Sequence, residues 1–243
     1  MKQKQETVSL AWCDNGNVDG MFMLGVTDVL LQSGIKFEST IRSGGNQIAR
    51  QRDRLINHWY DSNKSEWLLW VDSDVVINPE IFMKLWNVKD KWSKPMITGV
   101  YFTSDNPEEP LMIPMPTIFK FANEDGRVFS KRIHPMPKDQ LIQVDAAGMG
   151  LILMHRSVVK KIRDDKGDIR LFAEQGKADS FVGEDIYFFA ICHQVKIPLW
   201  CHTGALAPHM KRFSFDVHYY NAIFGSKKNG NDTSVAEESG KES

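Results

Sequence analysis

The chain has 243 residues, 42% of them hydrophobic and 25% charged, enough for one large globular domain, or two small ones, with a sizeable core. Thirty basic against 31 acidic residues leave a net charge of −1, which excludes a global field drawing the chain to nucleic acid or to an anionic membrane and leaves only a local basic groove open. Cys13, Cys192 and Cys201 lack metal spacing, and no run of about 18 apolar residues occurs, so reduced thiols, no signal peptide and no membrane span are expected.

Residues 7–12 alternate and are rich in β-formers, so they read as the first strand, followed by the turn-rich loop Cys13-Asp14-Asn15-Gly16-Asn17. Ligands of open parallel sheets bind outside the carboxyl ends of strands, so Trp12 and Asp14 stand where a base would be met; a plain core role for Trp12 is the equal alternative. A helix is expected from Asp19, a good N-cap, to about Leu31, with Ser33-Gly34 ending it and a second strand over residues 35–41. The loop Arg42-Ser43-Gly44-Gly45-Asn46 opens a helix running to about Tyr60, on which Arg52 shares a row with Ile48 and Ile56. A guanidinium in that row needs an anion, either a nearby Asp or a ligand diphosphate.

Trp67-Leu68-Leu69-Trp70-Val71 is an apolar run bounded by charge, a buried central strand, and Asp72-Ser73-Asp74 follows where that strand surfaces. Side chains two apart on an extended chain point the same way, so both carboxylates are expected to converge, an arrangement that suits Mg²⁺ or Mn²⁺ bridging to phosphates. The alternative is a polar turn. Asn78-Pro79 starts a helix continuing over about residues 80–86, and residues 95–101 form the next strand, so the order β-α-β-α-β-α-β predicts a parallel three-layer sheet.

Pro107, Pro110, Pro114 and Pro116 then break the pattern, and Glu124-Asp125-Gly126 reads as a turn between strands at 117–121 and 127–129, in a mixed or antiparallel half. Residues 141–154 are two apolar runs joined through small residues that include Gly148, either a β-bulge or the close approach of a ligand. Glu184-Asp185 opens an aromatic helix after Gly183, where acidic residues suit the helix dipole. Residues 196–200 read as the last strand, His202 and His209 follow it, and residues 223–243 read as a disordered polar tail.

Taken in order, Ala49-Arg50-Gln51-Arg52-Asp53, Asp72-Ser73-Asp74, Gly183-Glu184-Asp185 and the late His209 make the chain resemble glycosyltransferases of the GT-A fold, of the phage and bacterial kind, over roughly residues 7–212. Asp53 stands where that family's run carries Asn. The resemblance implies an α/β domain over residues 1–222, a Rossmann-like three-layer α/β/α sandwich with a mixed central sheet, its nucleotide-sugar half at about 7–102 and its acceptor half at about 103–222. It implies Asp72, Asp74 and His209, with His202 the competitor, as ligands of Mn²⁺ or Mg²⁺. Donor contacts are implied at Ala11, Trp12, Asp14, Arg52, Asp72, Ser73, Gly148, Met149 and Lys211, with Ala147 beside the sugar or acceptor and Arg212 beside the phosphates.

For an inverting member the resemblance implies Asp185 as the base for the acceptor hydroxyl, with Glu184 close behind. The implied donor is a nucleotide-diphosphate sugar, uridine favoured over guanosine, the acceptor a glycan, protein or modified nucleic acid, and the compartment the cytoplasm, that of the host if the chain is viral. Two other readings stand beside this one. A nucleotidyltransferase or pyrophosphorylase would carry a Gly-rich basic loop after its first strand, and residues 12–17 have no basic residue. In a non-enzymatic binding module the acidic positions would be turns and caps. A DNA acceptor would call for a basic stripe, for which Lys227 and Lys228 are thin evidence.

Overall fold

The computed structural model describes residues 6–104, 113–124, 127–177 and 180–211, with Val217 and Tyr220. The chain divides into two compact units, the larger made of Met1–Thr103 and Met115–Met210, the smaller of Ser104–Pro114 and Lys211–Ser243. The main sheet and the candidate site belong to the larger.

Strand β1 (Val8–Asp14), helix α1 (Gly20–Gln32), strand β2 (Phe37–Gly44), helix α2 (Ile48–Ser62), strand β3 (Trp67–Val71), helix α3 (Pro79–Val88) and strand β4 (Met96–Val100) alternate as expected. Side-chain caps set two of the helix starts. Asp19 accepts the Met21 N–H and Asn78 accepts the Ile81 N–H, each at 2.8 Å, and Pro79 occupies the first turn of α3. Every residue of β3 is buried, and its alternation sorts them: Trp67, Leu69 and Val71 join the cluster that holds α1 and α3, while Leu68 and Trp70 join the one that holds α2.

The second half is largely antiparallel. Strand β5 (Phe102–Ser104) pairs with β6 (Pro114–Pro116), and β7 (Ile118–Glu124) forms a hairpin with β8 (Arg127–Arg132), whose turn at 125–126 lies outside the described residues. Strands β9 (Leu141–Val144), β10 (Ala146–Ala147) and β11 (Leu151–His155) lead into helix α4 (Ser157–Lys166). A short pair, β12 (Gln175–Lys177) with β13 (Ser180–Val182), precedes helix α5 (Glu184–Gln194) and strand β14 (Leu199–Leu206).

The seven-stranded sheet runs β2-β1-β3-β11-β4-β14-β9. Here the parallel order expected for the first four strands is corrected, because β11 enters between β3 and β4 and is antiparallel to both. Its run Leu151-Ile152-Leu153-Met154 is buried on both faces, which a central position requires. The last strand begins later than expected, at Leu199, because Lys196 has a left-handed backbone (φ 56°) and Pro198 has no N–H to give a ladder. Helices α2, α4 and α5 cover one face and α1 and α3 the other, three layers in all. Arg212 and the tail at 223–243 lie outside the described residues. Among the described residues no helix is long and apolar enough to cross a membrane.

Candidate active site

The site lies at the carboxyl ends of β1, β3 and β4. Asp72 continues the direction of Trp70: the Trp70 indole N–H donates to Asp72 Oδ1 at 2.9 Å, and Arg52 Nη2 donates to Oδ2 at 3.1 Å. The chain then turns, with the Val75 N–H on the Asp72 carbonyl at 2.9 Å. The turn is pinned from both sides, by the Asp19 N–H on the Ser73 carbonyl at 3.0 Å and the Met210 N–H on the Asp74 carbonyl at 2.7 Å. The two carboxylates take different partners, Asp72 the Trp70 indole and Arg52, Asp74 the ring of His209. The strand ends at Val71, and the two-residue period ends with it.

Asp74 Oδ2 stands 3.1 Å from His209 Nε2. The other ring nitrogen, Nδ1, is 2.8 Å from the Phe102 carbonyl, which can only accept, so Nδ1 carries the proton. In the neutral ring Nε2 is then a lone pair facing a carboxylate, and two acceptors at that distance require a proton or a cation between them. A carboxylate and an imidazole whose second nitrogen is fixed on a backbone carbonyl is a donor set suited to Mn²⁺ or Mg²⁺. Among the described residues no third His, Cys, Asp or Glu completes a metal cluster with them. His202 lies elsewhere, 4.0 Å from Asp139.

Arg52 is 4% exposed and forks between two carboxylates, Nη1 on Glu184 Oε1 at 2.8 Å and Nη2 on Asp72. Its Nε has no partner among the described residues. Burial pulls the Arg52 guanidinium down, but Asp72, Asp185 and Glu184 outweigh it and hold it above its ordinary value. Burial pushes Glu184 up, against the pull of Arg52. Asp185, next to it at the start of α5, accepts the Ile186 N–H at 3.1 Å.

Tyr101, which the sequence reading passed over, joins the two groups. It is buried, its hydroxyl accepts the Gly150 N–H at 3.3 Å, and its ring meets His209 edge-on at 5.0 Å. Burial first, then Asp72 and Asp185, drive its phenol above the usual range. Its place at the end of β4 is the signal that could have found it, by the same strand-end rule that flagged Trp12.

The remaining candidates are spread around this centre. Asp14 is saturated by four donors: Arg42 Nε and Nη2 at 2.6 Å each, the Gly16 N–H at 2.7 Å and the Trp12 indole at 3.0 Å. Arg42, expected in a loop, lies in β2 and is a second residue that the sequence did not single out. Ala11, Ala147 and Met149 are buried in the core, and Gly148 packs so tightly that a Cβ there would lie 2.0 Å from the Tyr101 hydroxyl. Ser73 contributes its carbonyl. Asp53 accepts the N–H groups of Leu171 and Phe172 at 2.9 and 3.1 Å, a tether beneath α5, where Phe172 stacks on Phe188 at 4.8 Å. Lys211 is exposed and belongs to the smaller unit.

The mixed α/β/α sandwich is a fold of the GT-A kind. No family model matches the chain, and no curated protein does. Among solved structures, GalNAc-T7 with UDP, GalNAc and Mn²⁺ aligns at TM-score 0.54 and 12% identity, over 88% of this chain and 45% of that one. A197 from STIV aligns at TM-score 0.50 and 18% identity, over 84% of this chain and 86% of that one. A CMP:2-keto-3-deoxy-manno-octonic acid synthetase complexed with CTP aligns at TM-score 0.47 and 12% identity, over 91% and 99%. At these identities the likeness is one of fold, and this chain spans less than half the length of the GalNAc-T7 chain.

Proposed function

We propose that the chain is a metal-dependent glycosyltransferase that moves a sugar from a nucleotide-diphosphate sugar, uridine favoured over guanosine, to an acceptor hydroxyl. The observation that carries this reading is the Asp74–His209 pair, a carboxylate oxygen and an imidazole nitrogen held 3.1 Å apart beside the carboxyl end of β3. Mn²⁺ or Mg²⁺ bound there would act as a Lewis acid on the departing diphosphate. Asp74 and His209 would hold the ion, and Asp72 opens the same turn, its carboxylate oriented by Arg52 and Trp70. Trp12, Asp14 and Arg42 border the base end of the nucleotide, and the Gly148-Met149 segment borders its sugar end.

The acceptor hydroxyl must lose a proton as it attacks. In an inverting reaction, with Glu184 committed to Arg52, Asp185 on the same helix start is the carboxylate that takes it. Arg52 holds Asp72 and Glu184 in place and keeps their charge balanced in a site largely closed to water.

The test is a thermal-shift panel of uridine and guanosine diphosphate sugars on wild type and Asp74→Ala, with Mn²⁺ or with chelator. Ligand at 100 times its Kd stabilises the native state by about 2.7 kcal/mol. A Mn²⁺-dependent rise with one nucleotide class, lost in Asp74→Ala, is the expected result. No rise with any sugar nucleotide at millimolar ligand and metal would turn the reading toward a binding module.

A further inference from the structure

A cleft that the proposed reaction does not use lies at the other end of the sheet. Pro95 precedes β4, Pro198 precedes β14 and Ser157 follows the antiparallel β11, so the cleft these residues line opens away from the strand ends that carry Asp72 and Tyr101. It encloses about 310 Å³, and its walls carry Lys91, Lys160, Lys161 and Lys196 against a single carboxylate, Asp164. In a chain of net charge −1 this is a local positive field.

Trp92 stands on the rim, 82% exposed, the most exposed large apolar side chain among the described residues. Its turn is fixed from below, where Asp90 Oδ1 accepts the N–H groups of Trp92 and Ser93 at 3.0 and 2.7 Å. The indole is thus presented on a rigid support, with Lys91 Nζ 5.2 Å from its ring centroid. Lys196 adds a second oddity. It holds the left-handed backbone position just after α5 (φ 56°), where glycine is the usual residue, so its side chain is kept at a conformational cost. Lys196, Ile197 and Pro198 also wall a second cleft of about 360 Å³ with Gln143, His193 and Gln194, so the two clefts are neighbours across that segment.

Two of the lysines have partners already, Lys160 on Asp164 at 2.6 Å and Lys161 on the Lys196 carbonyl at 3.4 Å. Both contacts are exposed and weak beside what a phosphate offers.

We propose that this basic cleft binds single-stranded nucleic acid, with one base stacked on Trp92 and the phosphates running past Lys160, Lys161 and Lys196. A flat indole face suits any base, and ammonium groups suit a phosphate backbone. An acidic peptide would use the lysines and have no need of the indole. The site is independent of the transferase reading, since none of its residues serves that chemistry.

The test is fluorescence anisotropy of a fluorescein-labelled oligothymidylate of about 15 nucleotides with the full chain, between about 50 and 200 mM salt. Binding should weaken with salt at a logarithmic slope of about −2, the value for three neutralised phosphates on a single strand. Trp92→Ala should weaken it about tenfold or more, the usual effect of losing one stacked base. Lys196→Gly relieves the left-handed backbone, so it should hold or raise Tm while weakening binding and flattening the salt slope. The proposal is overturned if the oligonucleotide does not bind at tens of micromolar protein, or if neither variant changes the affinity. It is equally overturned if thymidine diphosphate alone binds as well, or if heparin or polyglutamate binds more tightly and Trp92→Ala leaves that unmoved.

Discussion

Asp74 and His209 are 135 residues apart in sequence and 3.1 Å apart in space, held by an isolated backbone bridge between Val75 and His209. The Phe102 carbonyl fixes the His209 tautomer, so the nitrogen turned toward Asp74 is a ready metal donor. His209→Ala removes that donor and leaves the backbone bridge in place. Mn²⁺ affinity, read by calorimetry, should fall by more than about tenfold, while the unliganded protein keeps its far-UV spectrum. Unchanged Mn²⁺ affinity in His209→Ala would remove His209 from the metal site.

Arg52 lies between two largely buried carboxylates, Asp72 and Glu184, and is the cation that bonds both among the described residues. Arg52→Met leaves Asp72 and Glu184 without it, and breaking a buried pair in this way costs about 3–5 kcal/mol. Lysine is no substitute, because one ammonium cannot fork to both partners. Adding Glu184→Gln to Arg52→Met should recover part of the loss, since one stranded charge is then gone. Urea unfolding of the single and double variants measures this, and equal stability of the two would show that Glu184 does not depend on Arg52.

The fold was legible where the pattern was strong. The unbroken apolar run of β3, the Asp19 and Asn78 caps and the hairpin of β7 and β8 were all readable from local sequence. The place of β11 was not, because an apolar run states that a strand is buried and leaves its neighbours open. At the site, the row of Ile48, Arg52 and Ile56 told that Arg52 faces inward and needs an anion. It could not tell that Glu184, 132 residues later, is one of the two it meets. The separate partners of Asp72 and Asp74 were hidden for another reason: period-two reasoning holds only while the strand does, and backbone bonds from Asp19 and Met210 turn the chain after Val71.

Gly148 has no room for a side chain. A Cβ there would lie 2.0 Å from the Tyr101 hydroxyl and 2.7 Å from Cζ, and Tyr101 is itself buried against the site. Gly148→Ala should cost about 1–3 kcal/mol by overpacking. Combined with Tyr101→Leu, which removes the atoms it would strike, the cost of Gly148→Ala should shrink, a coupling read from a double-mutant cycle. Additive losses would mean that the segment moves away from Tyr101 without strain.

His155 gives the chain an acid-sensitive point away from the site. Its ring lies 4.9 Å from that of Trp67, and Nδ1 accepts the Ser157 N–H at 3.2 Å, so the neutral ring fits. Burial, then the nearby Lys91, lowers its pKa from 6.5 to about 4. Between these values the unfolded chain binds a proton that the folded chain refuses, so stability rises with pH through that window and levels off above 6.5. Because the ring is only partly buried, solvent screening trims the effect to about 1 kcal/mol. Urea unfolding at pH 4.5 and pH 7 should therefore show a smaller difference for His155→Gln, which cannot titrate, than for wild type. An equal difference in the two proteins would assign the acid sensitivity to other groups.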